Sequence, residues 1–258
     1  MRALISNDDG IRSPGIAALE RAMTAAGYET FVVAPDHEQS ASSHALTVHR
    51  PLRVSKAGER RWVVDGTPTD CVNLAVCSIL KGVELDRVVS GINAGPNLGD
   101  DVTYSGTVAC AFEGTLLGVR SIAFSLGYRR EELHANMDWD EAEAAALEVI
   151  RWTETNPLEG EALLNVNIPP GRPHGLRVTR MGRRRYGESI VEKIDPRGRP
   201  YYWIGGAYVD TPDEGTDLVA VSEGWVSVTP LHLDMTDYRA LARLQPTARI
   251  PWPPRSAA

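Results

Sequence analysis

Cysteine is scarce in this 258-residue chain, and what there is cannot form an evident framework: Cys71, Cys77 and Cys110 are odd in number and contain no C-x-x-C pair. All three lie in runs that read as buried helices, where a free thiol behaves as a small hydrophobe. A reducing cytoplasm is therefore expected, and no Asn-x-Ser/Thr acceptor argues otherwise. Long apolar runs are missing as well. A spanning helix needs roughly 18 or more consecutive apolar residues, whereas the 71–80 run is broken by Asn73 and Ser78. The opening residues show no basic n-region, long apolar stretch or small-residue cleavage site, so a soluble protein that starts at Met1 is expected. Basic charge is in the minority: 27 Lys and Arg against 34 Asp and Glu leave a net charge of -7. That sign argues against a long nucleic acid as an obligate partner. G-x-S-x-G, H-E-x-x-H, G-x-G-x-x-G and Walker signatures are all absent.

What is present is a globular composition, 43% hydrophobic and 24% charged, at a length that allows one large or two modest domains. Up to about Leu126, short β-rich runs alternate with helical periods, the pattern of an α/β fold with a parallel sheet and crossover helices. Strands are expected at 3–6, 30–34, 62–64, 88–90 and 121–126. Between them, Ile16, Leu19, Ala22, Met23 and Ala26 mark one helix, stopped by Gly27. Another opens at Thr67-Pro68, another covers 107–117, and Trp139, Ala142, Ala146, Val149 and Ile150 mark a fourth, ending near Asn156-Pro157. The spacing then changes. Residues 161–258 read as a β-rich C-terminal extension to a core of residues 1–160, with strands at 163–168 and 176–179 and scarcely a helix before 236–244. A hairpin with an apolar tip is expected near Pro200-Tyr201-Tyr202-Trp203-Ile204, its aromatics serving a subunit contact in preference to the core. Arg183, Arg184 and Arg185 read as a solvated face that keeps an edge strand from pairing, in preference to phosphate binding.

In a doubly wound sheet, ligands bind beyond the carboxyl ends of the strands, so the loops there carry the functional signal. Asn7-Asp8-Asp9-Gly10 places two repelling carboxylates directly after the first strand, a pair that suits a hard divalent cation. The competing reading is an Asp-Gly turn with Asp9 capping the next helix. The 91–101 loop is rich in glycine and amides, with Asn93 and Asn97 as donors for a metal or phosphate, or as residues that simply tolerate a tight turn. Ser105-Gly106-Thr107 opens a helix whose free N–H groups favour an anion, although N-capping alone explains one of the two hydroxyls. Ser40, Ser42 and Ser43 follow the second strand in an otherwise ordinary polar loop. The convergence of acidic residues and two anion-type loops on one sheet edge suits metal-assisted phosphoryl chemistry, in which no serine or cysteine nucleophile is needed.

Six motifs in order resemble the SurE stationary-phase survival proteins: Asn7 to Gly10; Ala34-Pro35-Asp36 with Ser40; Gly66-Thr67-Pro68-Thr69-Asp70-Cys71-Val72; Ser90 to Asn97; Tyr104 to Thr107; and Thr229-Pro230-Leu231-His232. The resemblance implies a Rossmann-like core and a cytoplasmic 5′/3′-nucleotidase that frees phosphate from nucleoside monophosphates. It implies one Mg²⁺ or Mn²⁺ per subunit, and a homodimer that exchanges C-terminal elements and sometimes pairs into tetramers. By residue it assigns Asp8, Asp9, Ser40 and Asn93 to the metal, Asn97, Ser105, Gly106 and Thr107 to the phosphate, and Asp8 and Asp9 to catalysis, with Asp8 acting on the attacking water or by direct attack.

Two other functions are weighed against it. A haloacid-dehalogenase-type phosphatase wants D-x-D-G, but aligning the glycine puts Asn7 at the nucleophile, and an amide cannot form the intermediate. A nucleotide-sensing module would bind without hydrolysis.

Overall fold

The computed structural model describes residues 1–128, 137–158, 160–186, 190–204, 208–211 and 213–245. Its centre is a nine-stranded sheet. Six of its strands run parallel: β1 (Arg2–Ser6), β2 (Glu29–Pro35), β4 (Arg61–Val64), β5 (Arg87–Ala94), β6 (Ser121–Leu126) and β7 (Ala162–Ile168). With β3 (Val54–Gly58), β8 (Leu176–Val178) and β13 (Val226–His232), the order is β3-β4-β2-β1-β5-β6-β7-β13-β8. β13 is antiparallel to β7, and β3 to β4.

Strand alternation sends successive side chains to opposite faces. Ile5, Val32 and Val89 meet α1 (Pro14–Ala25) and α4 (Trp139–Thr155) on one side. Leu4, Val33 and Val88 meet α2 (Pro68–Leu74) and α3 (Gly106–Leu116) on the other. Helices on both faces make the sheet doubly wound, as the alternating pattern predicts.

The helix starts follow local chemistry. Ser13 accepts from the Ile16 N–H with Pro14 in the first turn, and Thr67 and Asp70 form a reciprocal capping box. Ser105 accepts from Val108 and Asp138 from Glu141. After α2 the chain continues as one wide turn, Ala75–Ile79, which leaves Cys77 exposed. Only Cys71 and Cys110 are the buried thiols that the sequence leads one to expect.

The C-terminal region departs furthest from expectation. β13 is missing from the sequence reading because Pro230 interrupts its apolar run, and α5 (Asp217–Ser222) is too short to show a period. β9 (Arg183–Tyr186) does pair, antiparallel to β12 (Tyr208–Thr211). Nor is Arg184 on a solvated face: its buried guanidinium meets Asp101 Oδ2 at 2.5 Å, and its N–H donates to Asp100 Oδ2 at 2.9 Å. β10 (Ile190–Ile194) and β11 (Pro200–Ile204) form the expected hairpin. Its tip, however, is the polar turn 195–199, closed by Asp195 and Arg199, while Tyr201, Tyr202 and Trp203 lie exposed along the strand. Gly205-Gly206 lies outside the described residues. The chain ends its described part in α6 (Tyr238–Leu244). Among the described residues no helix is long and apolar enough to cross a membrane.

One buried carboxylate ties this region to the core. Asp217 accepts from the N–H groups of Gly99 (2.8 Å), Gly182 (2.7 Å) and Leu218 (2.8 Å). Burial pushes its carboxyl upward, and the three donors oppose that push. Replacing Asp217 with Ala strands three buried N–H groups and is expected to cost about 2–4 kcal/mol in a denaturant titration. Asp217→Asn, which keeps one acceptor oxygen, is expected to cost less; equal loss from the two would show that the N–H contacts contribute little.

Candidate active site

The carboxyl ends of β1, β2 and β5 open into one cleft of about 570 Å³. Asp8, Asp9, Ser40, Asn93, Asn97 and Ser105 all line it. Gly106 and Thr107 do not face it directly but press on Asp8 from behind. The Thr107 hydroxyl, fully buried, donates to Asp8 Oδ1. A Cβ on Gly106 would lie 2.9 Å from Asp8 Oδ2 and 2.8 Å from Ser42 Oγ, so only glycine lets the helix start approach so closely.

The two aspartates point to different supports. Asp8 is buried against α3, whereas Asp9 reaches across to β5 and accepts from the Ala94 N–H at 3.1 Å. Ser13 caps α1, so the capping role allowed for Asp9 falls to another residue. Burial pushes the Asp8 carboxyl above its usual range, against hydrogen bonds from the Thr107 side chain and backbone. Asp9 is raised to about 6, first by burial and then by the neighbouring Asp8 charge. Asn7, meanwhile, turns its amide inward to the Gly10 carbonyl (3.0 Å) and Ser13 Oγ (2.8 Å), the work of a turn residue rather than a nucleophile.

Asn93 follows a bulge in β5, where Gly91 has φ +114° and a Cβ would meet the Phe124 carbonyl oxygen at 2.2 Å. The Asn93 amide donates to the Gly95 carbonyl at 2.8 Å, which leaves its oxygen available. Ser40 is exposed at the mouth and donates to Glu38 Oε1 at 2.6 Å. Its loop is pinned by Gln39 N–H to the Asp8 carbonyl (2.7 Å) and Ser43 N–H to the Tyr104 carbonyl (3.1 Å).

Among the described residues no three His, Cys, Asp or Glu side chains cluster as ligands. The oxygen set here is mixed: two carboxylates, an amide and a hydroxyl, the hard donors that Mg²⁺ and Mn²⁺ take together with water. The Ser42 hydroxyl beside Gly106 is buried without a partner, as is Asn7 Oδ1. An acidic, desolvated pair beside an orphaned hydroxyl fits a cation and its waters.

Four hydrogen bonds hold Asn97 in place. Its N–H donates to Asn167 Oδ1 (2.8 Å), its carbonyl accepts from Asn165 (2.9 Å) and Asn167 (3.0 Å), and its amide meets Ser125 Oγ at 2.8 Å. Sequence reasoning missed these three supports and Glu38, and it named Asp101 and Tyr104 only as members of their loops, without a place in the cleft wall. The available signal was polar residues inside apolar strands: Ser125 in β6, Asn165 and Asn167 in β7.

The survival protein SurE family model matches residues 3–188. The chain is 50% identical over 241 residues to the 5'-nucleotidase SurE of Syntrophotalea carbinolica, covering 93% of this chain and 94% of that protein. To the 5'-nucleotidase SurE of Geotalea daltonii it is 50% identical over 249 residues, covering 95% and 98%. The crystal structure of the SurE protein from Aquifex aeolicus superimposes with a TM-score of 0.82 at 42% identity, covering 96% and 99%. Family model, near-full-length relatives and shared fold agree: the chain belongs to the SurE family.

Proposed function

We propose that this protein is a divalent-metal-dependent nucleotidase that hydrolyses nucleoside monophosphates to nucleoside and phosphate. The relatives' names supply the reaction class. The observation that carries the reading is the desolvated Asp8–Asp9 pair at the floor of a cleft that also holds the Asn97 and Ser105 anion donors.

Asp8, Asp9, Asn93 and Ser40 would hold the cation. When bound, it supplies charge neutralisation of a phosphate oxygen and a lowered pKa for water. The chain's own groups do the rest. Thr107 fixes Asp8 through Oδ1, so the carboxylate is held in one orientation and would take the proton of the attacking water on Oδ2. Ser105 accepts from the helix through its lone pair and still has its own O–H to give a phosphate oxygen, so capping and anion binding coexist in one residue. The Ser125 hydroxyl can either accept or donate. If the Asn97 amide turns over, Ser125 donates to Oδ1 and the amide NH₂ faces the phosphate. Free thiols support a cytoplasmic location, and the exposed β10–β11 hairpin supports a homodimer contact.

Phosphate release from AMP and GMP is expected with Mn²⁺ or Mg²⁺ and is expected to vanish in chelator. Turnover indifferent to chelation would remove the metal from the mechanism, and tight binding without release would select a nucleotide sensor. Asp8→Asn is expected to lower kcat by at least about 100-fold with an unchanged circular dichroism spectrum; a variant that kept most of its rate would make Asp8 a turn residue.

Asp9→Asn separates stability from function. In chelator, the folded Asp9 holds its proton more tightly than the unfolded chain does, from the ordinary aspartate value up to about 6. Its contribution is therefore present at low pH and lost as pH rises through about 6. The amide keeps the Ala94 hydrogen bond without the repulsion, so the variant is expected to gain on the order of 1 kcal/mol at neutral pH while losing metal-dependent turnover. Thermal unfolding at pH 5 and 7.5 checks this, and a less stable variant would show that the carboxylate is already well satisfied.

A further inference from the structure

The deep polar groups account for a phosphate and a cation, but the cleft, at about 570 Å³, is of a size that takes a whole small molecule. Its lining is graded in depth. Asp8, Asn97 and Ser105 are buried at the inner end, whereas Ala41 and Tyr104 are exposed at the mouth. Tyr104 is the sole aromatic among the described lining residues and is 61% exposed.

Its backbone is fixed on both sides: its N–H donates to the Asp101 carbonyl at 3.0 Å, and its carbonyl accepts from Ser43 at 3.1 Å. Among the described residues no side chain bonds its hydroxyl. The molecule thus presents a large ring on a rigid mount, uncovered by its own fold, one residue before Ser105, which lines the inner end of the cleft. Ala41 and Pro96 add apolar wall nearby.

We propose that Tyr104 is the stacking platform for the nucleobase, the residue through which the site favours nucleotides over plain sugar phosphates. The proposal rests on the phosphomonoesterase reading given above. Stacking uses a π-face that every base has, so this platform discriminates nucleoside from non-nucleoside esters without reading base edges.

The test compares AMP with ribose 5-phosphate in the wild type, Tyr104→Ala, Tyr104→Phe and Tyr104→Trp. Tyr104→Ala is expected to raise KM for AMP about tenfold more than it raises KM for ribose 5-phosphate, while the Phe and Trp variants keep the AMP preference. Equal losses on both esters would make Tyr104 a scaffold for the Ser105 turn, and no loss on either would leave the ring without a role; each result overturns the proposal. If the wild type cleaves neither ester, the phosphatase reading fails separately. Adenosine binding, followed by nuclear magnetic resonance, then decides the platform: adenosine-induced shifts lost in Tyr104→Ala support it, and shifts retained in that variant refute it.

Discussion

Two neighbouring carboxylates at the end of a buried strand repel each other and resist desolvation, and the surroundings of Asp8 and Asp9 are organised around that cost. Because adjacent residues leave a strand on opposite sides, Asp8 goes to the start of α3 and Asp9 to the bulge of β5. Thr107 and the Ala94 N–H offset part of the penalty, and Gly106 lets the helix approach without a clash. Both carboxyls nevertheless remain raised. A pair left with uncompensated charge is the chemical opposite of a structural ion pair, and it fits a partner brought from outside the chain.

The C-terminal region works toward the same edge of the sheet. Asp217 holds Gly99, and Arg184 holds Asp101, so the 99–103 turn that leads to Tyr104 and Ser105 is fixed from below by residues more than 80 positions away. β7 supplies Asn165 and Asn167, whose amides surround the Asn97 backbone. Asn165 Oδ1 is buried without a partner, but the cluster's donors are bonded, and any displacement would strand them. The anion side of the cleft is thus preorganised, while the Ser40 side is an exposed loop with left-handed residues at Ala41 and Ser43.

Much of the core was legible because its signals are local. Caps at Ser13, Thr67 and Ser105, apolar runs in β1, β2 and β6, and the Gly27 stop each declare themselves within a few residues. That Asp8, Asp9 and the 91–97 loop meet at one edge of the sheet was legible for the same reason. The C-terminal half was less so. β13 is a strand despite Pro230 because β7 and β8 pair with it, and Arg184 looks like a surface residue until Asp101 is brought to it. Ser40 was singled out from its polar loop only by the family resemblance, and Glu38 and Tyr104, the latter quoted only as part of a motif, were given no role, since that depends on which wall of a cleft they occupy.

The gradient from buried donors to exposed ring also divides the uses of binding energy. Contacts with a base are remote from the reacting phosphorus and are the same in ground and transition states, so they strengthen substrate capture without speeding the chemical step. In the proposed reaction, Ser105, the first turn of α3 and Asp8 would surround the atoms whose charge and protons move, and their fixed geometry would let them stabilise the transition state without reorganising. Changes at the mouth should therefore surface in KM and changes at the floor in kcat. A site built the other way round, with its bonded network under the base and its exposed loop under the phosphate, would bind nucleotides well and cleave them poorly. The distribution of buried amides beneath Asn97 places this protein on the catalytic side of that distinction.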